Sequence, residues 1–385
     1  MSQSAPPTPT RQGLRFDAPT YGVRGPHPVG VRDLLIEANG TTLDATLWYP
    51  ALNPAGAREE ITYLISEKSP TGNGSRPIYG HALKDASPDY SQGPYPLVIY
   101  GSGLAGWRQA SCYLLEHLAS HGFAVMTTDS HGESYSEFWQ GAATRPLDIR
   151  ALIAHAAALS APGAELAGLL ATDQVAVAGH SSGGWGALVG GGAQMHFGWG
   201  DAHPDLVAEN SMSNLTQYIP HAAEIAAQLG LAAVPDGLWP PQNDPRVKAV
   251  VALAPDGDIW GAHYEGLAAV KVPTLVMTGG GDTLNVPERC AYPIYQHLGS
   301  AQKMLVTFAH ANHMIFSDQC RAVPWMAGDS FWVTDPVWDM DRAHDLIDHF
   351  ITAFLFSALK GDPAATEALT PENVTFPGIH YATTA

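Results

Sequence analysis

Apolar positions along the chain fall into short runs separated by stretches of helical spacing. Val31–Glu37 and Thr41–Tyr49 read as strands, joined by Asn39-Gly40, a dipeptide suited to a two-residue hairpin turn. Residues 54–95 are polar with scattered Gly and Pro and are expected to form a surface insertion. Pro96–Tyr100 is a short apolar run of the kind buried on both faces of a sheet. The spacing then predicts a helix over Arg108–His121, a strand over Phe123–Thr127, a helix over Pro146–Leu159 and a strand over Gln174–Ala178. A small-residue helix, Ser182–Ala193, follows. Residues 194–245 break the rhythm and are expected to form an inserted cap. Strands at Val247–Leu253, Pro273–Met277 and Lys303–Phe308 surround a helix at Val286–His297. A closing helix over Arg342–Leu359 has Leu346, Phe350, Phe354 and Leu355 on its buried side.

Strands alternating with helices predict an α/β architecture, a mostly parallel sheet covered on both faces. It would occupy 31–385 as one domain, after a flexible segment over 1–30. In such sheets ligands bind beyond the carboxyl ends of the strands. Composition narrows the options. Of 385 residues only 15% are charged and 45% are apolar, which suits a large buried core rather than a disordered chain. The net charge of −18 argues against nucleic acid and against anionic membranes as partners. No apolar run reaches the ~18–20 residues of a transmembrane span, and Met1–Pro28 lacks a stretch resembling a signal peptide. The three cysteines, Cys112, Cys290 and Cys320, match no zinc spacing. A cytoplasmic protein is the expectation, although a leader removed beforehand would leave the same sequence.

The chemistry concentrates in Gly179-His180-Ser181-Ser182-Gly183, a G-x-S-x-G set between a predicted strand and a predicted helix. A strand running straight into a helix turns sharply, and glycines on either side remove the Cβ atoms that would collide. Ser181 would then stand above the sheet as a nucleophile. A serine hydroxyl needs a base, and in this arrangement the chain order is serine, acid, histidine. His310 and His313 both follow the last strand; His313 is preferred because the loop must extend to reach back to Ser181. Asp282, after Gly279-Gly280-Gly281, is the preferred acid, with Asp256 and Asp258 as rivals. Backbone N–H groups of Ser182 and Leu104, the latter in the glycine-rich loop 101–107, are the candidate oxyanion donors.

At these residues the chain resembles the α/β-hydrolase superfamily, and more narrowly the bacterial group related to platelet-activating-factor acetylhydrolase and dienelactone hydrolase. The resemblance runs from Leu43-Asp-Ala-Thr-Leu-Trp-Tyr-Pro50 to the final helix and includes Gly80-His-Ala, Gly103-Leu-Ala-Gly106, Arg145-Pro-Leu-Asp148, Asp244-Pro-Arg-Val247 and Gly279–Asp282. It implies the α/β-hydrolase fold and a carboxylic-ester hydrolase with a Ser181–His313–Asp282 triad, acting on a small-molecule ester without a cofactor. Two departures stand out. Ser102-Gly103 replaces the family's usual His-Gly, and serine replaces the cysteine nucleophile of dienelactone hydrolases proper. Amide, polyester or lipid-like substrates are the alternatives within enzymes. A catalytically silent ligand-binding protein is the alternative of another class.

Other signals are weaker. His117 and His121 have helical i,i+4 spacing, but no third metal ligand accompanies them, and no metal site is expected. Trp107, His131, Trp260 and Met314 lie beside predicted catalytic positions and are candidate substrate contacts, with Phe316 and Glu133 nearby. Arg145 and Asp148 are expected to form a structural ion pair.

Overall fold

The computed structural model describes residues 15–66, 75–104, 106–132, 137–197, 218–257, 260, 264–318 and 334–384. Strands β1 (Val29–Ala38) and β2 (Thr41–Pro50) form the hairpin, with Asn39 and Gly40 at φ 53° and 77°. Within 54–95 the chain is more regular than its composition suggests. Strands β3 (Ile61–Ser66) and β4 (Ser75–Gly80) make their own two-stranded sheet, and β5 (Leu83–Lys84) joins β1.

There follow β6 (Tyr95–Gly101), α1 (Cys112–Ser120), β7 (Ala124–Thr128), α2 (Gly141–Leu159), β8 (Leu170–His180) and α3 (Ser182–Gly190). Next come α4 (Ala222–Gln228), β9 (Val247–Leu253), β10 (Thr274–Gly279), α5 (Ala291–His297) and β11 (Lys303–Phe308). The chain ends with α6 (Met340–Lys360), α7 (Pro363–Ala368) and β12 (Ile379–Thr383). Among the described residues the main sheet has the order β12-β11-β10-β9-β8-β6-β7-β2-β1-β5. From β11 to β7 all neighbours are parallel; β12 pairs antiparallel with β11, β2 with β7 and β1 with β2. The molecule is α/β, with a mostly parallel mixed sheet.

Alternation along each central strand builds the two layers. Leu97, Ile99, Val175 and Val177 face a core shared with α2, α3 and α5. Val98, Tyr100, Ala176 and Ala178 face the opposite core, filled by Leu114 and Leu118 of α1 and by Leu346, Phe350 and Phe354 of α6.

Several boundaries differ from the sequence pattern. α1 starts at Cys112 rather than Arg108, whose backbone and guanidinium both bind Asp129, at 2.8 and 2.6 Å. α2 starts at Gly141, so Pro146 lies inside the helix rather than opening it. α5 begins only at Ala291. The long helix does not close the chain, because β12 adds an edge strand beside β11. The flexible segment expected over 1–30 is bound down from residue 15. Tyr21 N–H donates to His349 Nδ1 at 3.3 Å, and the rings of His117 and His121 meet the carbonyls of Tyr21 and Val23 at 2.7 and 2.9 Å. Residues 1–14 and 198–217 of the expected cap lie outside the described residues. Among the described residues no helix is long and apolar enough to cross a membrane.

Candidate active site

Ser181 sits where β8 ends and α3 begins, at φ 58° and ψ −121°. A non-glycine residue in that region carries strain of roughly 1–3 kcal/mol, held in place by its surroundings. Here the surroundings are hydrogen bonds. Ser181 N–H donates to Leu253 O at 2.8 Å, and Ser181 O accepts from the amides of Gly184, Trp185 and Asp256 at 2.9, 3.1 and 3.2 Å. The bend also needs its two glycines. A Cβ on Gly179 would strike Gly183 O, and one on Gly183 would strike Gly101 O and Ser102 O. The strand end, the helix start and the loop after β6 therefore meet at backbone contact distance.

The loop after β11 supplies His313. Its Nδ1 lies 2.6 Å from Asp282 Oδ2, with the imidazole 4% and the carboxylate 0% exposed. Asp282, on the glycine turn after β10, uses its other oxygen to accept the amides of Leu284 and Asn285 at 2.8 and 2.9 Å. Upstream, Asn312 N–H donates to Asp335 at 2.6 Å and Asn312 Oδ1 accepts from Met314 N–H, which fixes the loop around His313. His310 is exposed, at φ 60°. Asp256, the rival acid, is buried in a different place, on the wall of a cleft beside Ser182. Asp258 and Glu133 lie outside the described residues.

His180, inside the serine motif, links the two loops. Its Nε2 is 3.0 Å from His313 O, and the two rings are 4.7 Å apart. Burial, followed by the nearby His313 ring, pushes His180 down to about 3, so it stays neutral and donates its Nε2 proton to that carbonyl. The residue before Ser181 is thus tied directly to His313, a role that the motif alone does not reveal.

Leu104 and Ser182 line one cleft, together with Phe138, Trp185, Tyr218 and Asp256. Ser182 opens α3, where the first N–H groups lack intrahelical acceptors. Among the described residues that line this cleft, none is a side chain expected to contact substrate. Trp260 is buried behind the cleft, 6.1 Å from Trp185 ring to ring. Trp107 packs toward the α1/α6 core, and Met314 is half-buried next to His313. Phe316 is fully buried, 5.9 Å from the His180 ring. His131 lines a second cleft beneath the loop after β6 and lies 3.3 Å from Asp148. The expected Arg145–Asp148 ion pair is replaced. Asp148 turns to His131, its second oxygen has no hydrogen-bond partner among the described residues, and burial raises its carboxyl. Arg145 instead binds the carbonyls of Ser102 and Gly103.

Phe138, Trp185 and Tyr218 went unrecognised in the sequence. Only Trp185 had a usable signal, since it falls four residues after Ser181 on the helix that the serine begins. His117 and His121 spend their outer ring nitrogens on backbone carbonyls. Among the described residues no group of three or more His, Cys, Asp or Glu could hold a metal ion. A scan of protein-family models and a search of curated proteins find no match to the chain.

Proposed function

We propose that the chain is a serine hydrolase of the α/β-hydrolase fold that cleaves carboxylic esters through an acyl-enzyme on Ser181. The observation that carries this reading is the buried Asp282–His313 pair, joined through His180 to a serine held at positive φ on a strand-to-helix bend. A carboxylate on Nδ1 fixes the tautomer that leaves Nε2 free to act as a base.

In the first half-reaction His313 Nε2 takes the Ser181 hydroxyl proton as Oγ attacks the ester carbonyl. The Leu104 and Ser182 amides hold the developing oxyanion. His313 then returns the proton to the departing alcohol. In the second half-reaction a water loses its proton to His313 and attacks the acyl carbon; His313 then gives that proton to the departing Ser181 Oγ, which releases the acid and the free serine. The aromatic side chains lining the cleft, Phe138, Trp185 and Tyr218, suit an apolar acyl group.

The test is initial-rate hydrolysis of nitrophenyl esters of graded acyl length, with matched nitroanilides. Ester turnover is expected in the wild type, with a loss of at least about 10⁴-fold in Ser181→Ala. Equal rates for the two proteins would overturn the reading, and faster cleavage of the anilides would move it to amides.

A further inference from the structure

The guanidinium of Arg145 is buried, the residue being 9% exposed. Burying a charge is costly unless strong hydrogen bonds replace its water. Its partners show what the burial accomplishes. Nη1 donates to Ser102 O at 2.8 Å and Nη2 to Gly103 O at 3.2 Å, so one rigid fork holds two consecutive carbonyls of the loop after β6. Gly103 O also accepts from Ser130 Oγ at 2.9 Å and from Gly106 N–H at 3.0 Å.

The C=O and N–H of a trans peptide point in opposite directions. Three donors gathered on Gly103 O therefore turn the next N–H, that of Leu104, away from Arg145. Leu104 lines the cleft with Ser182, and a Cβ built on Gly103 would lie 3.4 Å from Ser181 Cβ. We propose that Arg145 is a positioning residue for turnover at Ser181, holding the Gly103–Leu104 peptide so that the Leu104 N–H meets the oxyanion. This rests on the serine-hydrolase reading above. Among the described residues Arg145 makes no hydrogen bond to Ser181 or His313; it acts through the loop.

The contact it serves matters in the transition state more than in the bound ester. Loss of the fork should therefore lower kcat and leave KM nearly alone. For Arg145→Met and Arg145→Lys the expected fall in kcat is about 10- to 100-fold, somewhat less than removal of an oxyanion donor itself. Lysine should not rescue, because one ammonium cannot span both carbonyls in the fork geometry. Affinity for a trifluoromethyl ketone, which mimics the tetrahedral oxyanion, should weaken by a similar factor, with KM changed less than about threefold. Where the Arg145 variants fail to fold, Ser130→Ala decides, since it removes one donor from Gly103 O and only a long 3.4 Å acceptor from Arg145, whose charge stays paired with the carbonyls of Ser102 and Gly103. Its expected signature is the same at smaller size, a fall of about threefold or more in kcat and in ketone affinity at constant KM.

Folded Arg145→Met with kcat within twofold of wild type would overturn the proposal, as would losses confined to KM or an unchanged Ser130→Ala. Wild-type protein that hydrolyses no ester would instead overturn the hydrolase reading, and the positioning role with it.

Discussion

The Asp282 carboxylate is fully committed as an acceptor. Oδ2 receives His313 Nδ1–H, and Oδ1 receives two backbone amides of its own turn. An asparagine in its place would set an amide N–H where an acceptor is needed, or flip and break the turn. For Asp282→Asn the expected loss in kcat is about 10⁴-fold, the scale seen when a triad histidine loses its tautomer-fixing carboxylate. Asp256→Asn, on the cleft wall, is expected to cost less than about tenfold in the same initial-rate assay. The opposite ranking would assign the acid role to Asp256. At this scale legibility followed bonding type. The bend at Ser181 and the Asp282–His313 contact could be anticipated from a motif and from chain order. Arg145 could not be read correctly, because its partners are backbone carbonyls some forty residues away, and no side-chain pattern encodes those. Its apparent mate at i+3, Asp148, was the misleading signal.

The bend between β8 and α3 depends on glycine at both ends. In Gly183→Ala the new methyl would meet the carbonyls of Gly101 and Ser102, and neither the β6 strand end nor α3 has room to yield. The expected destabilisation is on the order of 3 kcal/mol, read as a drop in the unfolding midpoint together with lost turnover. A second element depends on pH. Glu116 of α1 accepts Tyr63 OH at 2.6 Å and His81 N–H at 2.7 Å, which joins the β3–β4 hairpin and the turn after it to the main body. Burial raises the Glu116 carboxyl from 4.5 to about 7, with those hydrogen bonds opposing the shift. Between those values the folded chain retains a proton that the unfolded chain has released. This contribution is therefore complete below about 4.5 and is lost as pH rises through about 7. Glu116→Gln is expected to flatten the fall in Tm between about pH 5 and 8; an unchanged slope would rule out Glu116 as its source. Elements with long apolar runs were readable from pattern alone. The β3–β4 hairpin, β5 and β12 were not, because each is short and only partly covered, which leaves little hydrophobic signal. The helix starts shifted where specific hydrogen bonds, such as Arg108 on Asp129, held residues outside the helix.

Across the whole molecule, the strand–helix alternation was enough to anticipate a parallel sheet with helices on both faces. The packing of residues 15–28 over α1 and α6 was not foreseen, since beside the packing of Tyr21 on Phe356 it depends on histidines meeting backbone. His117, His121 and His349 each bond the backbone of Tyr21 or Val23. Burial takes His121 and His349 down to about 4 and His117 well below its ordinary range, with Arg24, Lys360 and Arg342 adding repulsion. The unfolded chain therefore binds these protons first. Their contribution is present above about 6.5 and is lost as pH falls toward 4. Tyr21 N–H, which needs the His349 Nδ1 lone pair, should exchange faster with solvent across that window once intrinsic exchange is subtracted. Constant protection would contradict the neutral-histidine anchor.

The architecture brings the ends of β8, β10 and β11 together, and the proposed function has the Ser181 alcohol activated there. Intact-mass measurement after exposure to a fluorophosphonate tests this most directly. One adduct per chain, mapped to the Ser181 peptide, absent in Ser181→Ala and formed far more slowly in His313→Gln, is the expected result. Folded wild-type protein that stays unmodified, or an adduct that persists in Ser181→Ala, would contradict it.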